Sequence, residues 1–253
     1  MEIRKRFWEL YNISFQHNSY EFTDFLSIDE LAELYEYKEI PDSAYTVFGG
    51  FTDAERCMVR FGNEDDNGYV EDFPIVCLEI KPLIVKFADA LNHRDFLGAL
   101  MNLGIKREVL GDIVVMDEKV NGSDKSCRAI LFCRNVIADF IIDNLDKVKH
   151  TSVKVSKCQD ISALIIKEPH EYEILAASER IDAVIASLYK ISRTESKELF
   201  SLKKIYVNGR QVENADRSLS EGDRITVRGY GRFEYVGIFG HSKKGKLYIK
   251  IMM

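Results

Sequence analysis

The sequence predicts an α+β fold with three parts: a helical first block, a βαββαβ middle block, and a last block of two short helices on a small antiparallel sheet. Three observations carry that prediction. Apolar residues recur at helical spacing near both ends of the chain, strand-like runs interleave with helices in the middle, and capping and turn residues fall where boundaries are needed. The 253 residues leave room for two or three cores, and 46% hydrophobic with 30% charged residues is ordinary for a soluble globular protein.

Residues 1–74 read as an acidic, mostly helical domain. Phe7, Leu10 and Tyr11 share one helical face, and so do Ile28, Leu31, Ala32 and Tyr35. Ser27 with Glu30, and Thr52 with Glu55, have the spacing of a capping box, in which each end satisfies the other's backbone N–H. Pro41 and Gly49-Gly50 punctuate the segment between those helices. The stretch Glu64-Asp65-Asp66-Asn67-Gly68 predicts an exposed loop, and its carboxylates lack the spacing of a calcium-binding loop.

Residues 75–165 alternate strand and helix. Val76 to Ile80 is a buried-strand run, and a helix follows Pro82 through Arg94 to Leu103, closed by Gly104. Asp112 to Met116 and Arg128 to Cys133 predict strands joined by an Asn121-Gly122 turn. Asn135 to Leu145 predicts an amphipathic helix, and a last strand begins at Val153 to Val155. This order is that of the ferredoxin-like, or RRM-like, split βαβ unit, which RNA-binding domains share with many unrelated proteins.

Residues 180–253 open with Ile181, Val184, Ile185 and Leu188 on one helical face. Ser192 and Glu195 cap a second helix running to about Phe200. Strands follow at Ile205 to Val207, Arg224 to Arg228, Tyr235 to Phe239 and Lys246 to Ile251, with Asn208-Gly209 as a two-residue hairpin turn.

Charge divides the same way. Up to Ile75 there are 6 basic and 17 acidic residues, a net of −11; from Arg180 onward there are 15 basic and 8 acidic, a net of +7. A basic terminal module on an acidic body is the electrostatic footprint of a polyanion binder, although a salt-bridged surface gives the same count. No apolar run is long enough to cross a bilayer, and the charged, aromatic segment Met1 to Leu10 has no signal-peptide layout. Cys57, Cys77, Cys127, Cys133 and Cys158 are odd in number and lack metal-ligand spacing. The expectation is a cytoplasmic protein without membrane insertion, metal or cofactor.

Several catalytic-looking strings fail on their surroundings. His93-Arg94-Asp95 resembles a kinase catalytic loop, but Leu100 stands where that loop has asparagine. The Asp instead suits the start of a helix. Lys154-Val155-Ser156-Lys157-Cys158 is similar to a synthetase loop whose companion motif is absent, and alternating Val153 and Val155 fit a strand. Arg228 to Tyr235 matches much of the RRM ribonucleoprotein motif but follows the two-helix module, so Tyr230 and Phe233 fit sheet packing better than base stacking. No nucleophile, base and orienting group come together, and the chain is expected not to be an enzyme.

The last block resembles the S4-like RNA-binding domain, named for a small-subunit ribosomal protein. The resemblance lies in Arg180-Ile181-Asp182 with Ile185, Ser192-Arg193, Lys197, Leu199, Val207-Asn208-Gly209, Gly222-Asp223 and Ile225. Lys203 stands where that family usually has glycine. The whole chain also resembles the YlmH family. Here the residues are Gly49-Gly50-Phe51 with Ala54-Glu55-Arg56, His93 through Leu100, Leu103 through Arg107, Gly111-Asp112-Ile113, Arg228 through Phe233, and Lys243 through Lys246. The resemblance implies a bacterial ribosome-associated factor that binds large-subunit rRNA and peptidyl-tRNA during quality control of stalled translation. Nascent-chain quality-control or cell-division proteins are its further implied partners. Two alternatives stay open: an RNA-modifying enzyme with a site in the first two blocks, and a cell-division scaffold.

RNA recognition needs cations and donors held facing phosphates. Ser192 offers a capped helix N-terminus, Arg193 sits on its first turn and Lys197 one turn later. Arg180 starts the neighbouring helix, with Glu179 or Asp182 as alternative salt-bridge partners. Lys203, Lys204, Asn208 and Arg210 surround the hairpin turn, where Asn208 is mainly a turn device. Arg228, Arg232, Lys243 and Lys244 complete the predicted RNA-binding set. The cations between residues 180 and 210 are expected to form one rigid face.

Overall fold

The structure, a computed structural model, describes residues 2–51, 54–120, 123–158, 170–243 and 245–253. The chain divides into two compact units, residues 1–166 and 167–253.

In the first unit, α1 (Glu2–His17) buries Phe7 and Leu10, and α2 (Ile28–Glu36) buries Leu31 and Leu34. The capping box at Ser27 forms as the spacing predicts: the Ser27 side chain accepts from the Glu30 N–H, and the Ser27 N–H donates to Glu30 Oε2 at 2.7 Å. The mostly helical expectation needs correction. A three-stranded antiparallel sheet, β1 (Glu21–Phe22), β2 (Tyr45–Phe48) and β3 (Met58–Phe61), lies in the order β1-β3-β2. Val59 and Phe61 from β3 share one core with Phe7, Leu10, Leu31 and Leu34. The strands are short and join distant positions, as where Glu21 pairs with Phe61, so no local pattern announces them.

Two further expectations fail here. The acidic stretch is not a loop but one helical turn, α3 (Glu64–Asn67). The Asn63 side chain accepts from the Asp66 N–H at 2.8 Å, and Gly68 ends the turn in the left-handed region at φ 76°. Three first-turn carboxylates suit the positive end of its dipole. Thr52 lies outside the described residues, and no helix follows Glu55; the chain runs into β3 instead.

The same unit continues with β4 (Ile75–Pro82), α4 (His93–Asn102), β5 (Leu110–Val120), β6 (Ser123–Arg134), α5 (Asn135–Asn144), β7 (Lys147–Val148) and β8 (Thr151–Lys157). The sheet order is β5-β6-β4-β8-β7 with every neighbouring pair antiparallel. The Asn121-Gly122 turn lies outside the described residues. Asn92 and Asp95 build a capping box at the start of α4, the place the sequence gives to its first carboxylate, and Gly104 follows the helix at φ 80°.

This sheet is covered on both faces. Leu78, Ile80, Leu131 and Cys133 pack with Phe96 and Leu100 of α4 and Ala138 and Ile141 of α5. On the other face Ile130 and Phe132 pack with Phe25 and Met58, flanked by Phe51 and Phe73. The Phe51 and Phe132 rings stack at 4.9 Å between centroids. The seam is hydrogen-bonded as well. Arg56 donates from Nε to the Leu110 carbonyl at 3.0 Å and from Nη2 to that of Phe25 at 2.7 Å, while the Asp112 carboxylate accepts from the Glu55 and Arg56 N–H groups. Burial, aided by the nearby Arg56 charge, pulls Arg107 down to about 10.

In the second unit six strands form one antiparallel sheet in the order β11-β10-β12-β13-β14-β9. They are β9 (Glu171–Ala176), β10 (Ile205–Val207), β11 (Arg210–Gln211), β12 (Arg224–Val227), β13 (Gly231–His241) and β14 (Leu247–Met252). β9 was not expected from the sequence, because its glutamates hide its alternation; it pairs along the whole of β14. Helices α6 (Ile181–Tyr189) and α7 (Arg193–Ser201) pack Ile181, Val184, Ile185, Leu199 and Phe200 against Ile205, Val207, Ile225 and Val227.

The five cysteines are free thiols. Burial pushes Cys133 up to about 12 and raises Cys77 as well, so neither is a thiolate near neutral pH. Among the described residues no helix is long and apolar enough to cross a membrane, and no three His, Cys, Asp or Glu residues are placed to hold a metal ion.

Candidate nucleic-acid interface

The starts of α6 and α7 meet at a carboxylate. Asp182 is fully buried. Arg180 donates from Nε to its Oδ1 at 3.2 Å and from Nη2 to its Oδ2 at 3.1 Å, and also reaches Asp216. Arg193 donates from Nη2 to Asp182 Oδ2 at 2.6 Å. Ser196 Oγ donates to the Asp182 carbonyl at 2.9 Å, tying the second helix to the first. Burial works to raise the Asp182 pKa, but the hydrogen bonds and charges of the two arginines override it and hold the carboxyl below its usual range. Both guanidinium groups keep a solvent-facing side, their side chains being 34% and 44% exposed. Of the two partners the sequence offers Arg180, Asp182 is the one taken; Glu179 accepts from the Tyr235 hydroxyl instead.

At Ser192 the predicted cap is present: its Oγ accepts from the Glu195 N–H at 3.1 Å, and its own N–H donates to Glu195 Oε2 at 2.8 Å. Lys197 stands exposed one turn beyond Arg193, with no ion pair among the described residues. Arg180, Ser192, Arg193 and Lys197 therefore belong to the helix side of the unit.

The other predicted residues are placed differently. Asn208 and Gly209 take φ 51° and 80°, the two left-handed positions of a tight hairpin turn. The Asn208 side chain donates to Asp223 Oδ1 at 2.7 Å and accepts from the Arg224 N–H at 2.8 Å, so it braces the turn. Tyr206 pairs with Thr226, and Thr226 with Arg232, on residues that alternate with the core-facing ones. Arg232 thus points to the sheet face opposite the helices, where Arg228 lies over the Tyr206 ring at 4.5 Å. Lys204 immediately precedes β10, its carbonyl accepting from the Arg228 N–H at 2.9 Å, and Arg210 is exposed beyond the hairpin turn. Lys243 is exposed between β13 and β14, and Lys244 lies outside the described residues. Of the cations expected to share one face across residues 180–210, Arg180 and Arg193 are brought together. The sheet's alternation sends later cations to its far side, and two early ones are anchored on Asp182. Phe233 is buried in the core, and Tyr230 leans on the Tyr189 ring at 5.1 Å.

Lys203 occupies a backbone position that favours glycine. The helix α7 ends with the Lys203 N–H on the Phe200 carbonyl and the Lys204 N–H on that of Leu199, the paired bonds of a Schellman cap. Lys203 sits at its left-handed position with φ 56°. Lys203→Gly is expected to stabilise the second unit by about 1 kcal/mol, or roughly 4–8 °C in its melting midpoint. A thermal melt that leaves the midpoint unchanged would contradict this.

The site also has an acidic half that residue types and spacing did not disclose. Asp182 and Asp223 are both buried, and Asp223 also accepts from the Ser220 N–H at 2.9 Å with Arg217 at 3.6 Å. A carboxylate inside the apolar run Ile181 to Ile185 is the signal that could have marked Asp182.

Two helices on an antiparallel sheet, the second with a capped start, and arginines fixed on a buried aspartate define a protein that binds RNA through an S4 domain; the S4 domain family matches residues 179–225. A second family, described as "Putative RNA-binding domain in YlmH", matches residues 69–161. A curated protein of Bacillus subtilis (strain 168), "Ribosome-associated protein quality control protein P2", is 32% identical over 230 residues, covering 88% of this chain and 83% of that one. The chain belongs to the YlmH family. A solved structure, "Cell division protein ylmH from Streptococcus pneumoniae", aligns at 20% identity with a TM-score of 0.49, over 65% of this chain and 93% of that one.

Proposed function

We propose that this protein is a non-catalytic, cytoplasmic factor that binds the large ribosomal subunit through rRNA and peptidyl-tRNA and serves the rescue of stalled translation. The observation that carries the reading is the Arg180–Asp182–Arg193 cluster beside a capped helix start: it holds two guanidinium groups rigidly with their outer edges toward solvent. The quality-control role named for the Bacillus relative supports it, as does the net +7 of residues 180–253. The proposed RNA-contact set is Arg180, Ser192, Arg193, Lys197, Lys203, Lys204, Arg210, Arg228, Arg232, Lys243 and Lys244, with Asn208 holding the turn among them. The division into 1–74, 75–165 and 180–253 belongs to the same proposal. The separate cores around Phe7 and around Phe96 support it, and the order β5-β6-β4-β8 supports a ferredoxin-like middle domain.

The test is co-sedimentation with purified bacterial ribosomal subunits in sucrose gradients. Lys197→Glu combined with Lys243→Glu touches two exposed side chains that hold no ion pair among the described residues, so the melt should not move. Binding is expected to weaken by about tenfold or more, with a shallower dependence on salt. Equal association of parent and variant would refute the proposed contacts.

A further inference from the structure

An RNA domain of βαββαβ order commonly stacks bases on its open sheet face. That face is closed here by Phe25, Phe51 and Met58. Any RNA held by residues 69–161 must use another surface, and one glycine indicates which.

Gly98 sits at the centre of α4, in an exposed helical position. Glycine is among the poorest residues for a helix interior. Packing does not call for it: a Cβ at Gly98 would meet nothing within 4 Å, and the helix has no special backbone angle there. The bare position forms part of the wall of a groove of about 450 Å³ between α4 and the connection from α5 to β7. Arg94, Lys147 and Lys149 also line it, together with Asp95 and Asp146. Lys149 binds Asp95 at 2.9 Å, and Asp95 also accepts from the Asn92 N–H at 2.9 Å, which occupies that carboxylate within the fold. Arg94 and Lys147 remain as cations beside the bare Gly98 position, against the exposed charge of Asp146.

We propose that this groove is a second RNA-binding site, in which a sugar-phosphate strand lies against Gly98 with Arg94 and Lys147 on its phosphates. The absence of a Cβ lets the strand approach the helix closely, and cations on both sides favour a polyanion over an apolar peptide. The inference rests on the RNA-binding reading above and extends it to the first unit.

The full chain and its Gly98→Ala, Gly98→Leu and Arg94→Gln/Lys147→Gln variants are compared on purified bacterial ribosomal subunits. Gly98→Ala is expected to raise the melting midpoint by about 2–4 °C. It should nevertheless weaken binding roughly threefold, and Gly98→Leu roughly tenfold, because each added carbon occupies the strand's place. The Arg94→Gln/Lys147→Gln pair should flatten the salt dependence by about two phosphate contacts. Gly98 variants that bind like the parent, while Lys197→Glu/Lys243→Glu is impaired, would overturn this site and leave the proposed function standing. A parent chain that fails to bind subunits at all would remove both. A photoreactive residue introduced by Asn102→benzoylphenylalanine should crosslink rRNA; crosslinking only to protein would also overturn the site.

Discussion

Gly50→Ala is expected to destabilise the first unit by about 3–5 kcal/mol, the sum of a left-handed backbone position and a blocked ring contact. Gly50 has φ 102°. A Cβ there would stand 2.8 Å from Phe132 Cε1 and closer still to Cδ1. The ring cannot retreat, because it is stacked on Phe51 and packed with Phe25 and Met58. Urea unfolding of the parent, Gly50→Ala, Phe132→Leu and the double variant separates the two contributions. The smaller side chain introduced by Phe132→Leu should recover part of the steric loss, giving a coupling of about 1 kcal/mol or more, while the backbone contribution persists. A loss under about 1 kcal/mol for Gly50→Ala would mean that this seam is looser than the packing implies.

Asp182→Asn is expected to act on stability and on binding together. It should cost about 2–3 kcal/mol, below the ~3–5 kcal/mol typical of breaking a buried pair, because both arginines are partly exposed and screened. The pH dependence has a definite sign. The folded carboxyl lies below its ordinary value, so its contribution is complete above an unfolded pKa of about 3.9 and disappears as pH falls through the lower folded value. The parent should therefore show an acid-side loss of stability below about pH 4 that is smaller in Asp182→Asn. Binding gives the sharper contrast. Removing a negative charge from a basic domain should tighten its hold on RNA if charge alone matters. If Asp182 positions Arg180 and Arg193, binding instead falls by about tenfold, since two contacts lose their fixed geometry. Tighter co-sedimentation of Asp182→Asn with ribosomal subunits would exclude the positioning role.

These two positions also show what a sequence can and cannot disclose. Boundaries set by local chemistry were readable: the boxes at Ser27 and Ser192, Gly104 after α4, and the left-handed pair Asn208-Gly209. The order β4-α4-β5-β6-α5-β8 followed from alternating periodicities, whereas the two-residue β7 carries no such pattern. Pairing between remote segments was not readable. The strand β1 is two residues long and finds its partner at Phe61, and β9 carries acidic residues on a strand that needs β14 to exist. For the candidate site, residue types and spacing suggest which cations to consider but not their directions. Arg228 and Arg232 lie close in sequence to the helix-packing strand residues yet belong to the far side of the sheet. The depth of Asp182 was hidden for the same reason, since a charged residue in a helix first turn reads locally as a surface group.

The aromatic lid over the middle sheet bears on how this protein can be taken apart. The segment spanning 69–161 carries a family signature of its own, yet Phe25, Phe51 and Met58 from outside that span fill one side of its sheet. Excised at those limits, it would bare Ile130 and Phe132 to water, an apolar surface of the kind that drives aggregation. The signature therefore outlines an inherited stretch of chain rather than a self-sufficient folding module, and the smallest portable piece of the first half must begin early enough to bring its own cover.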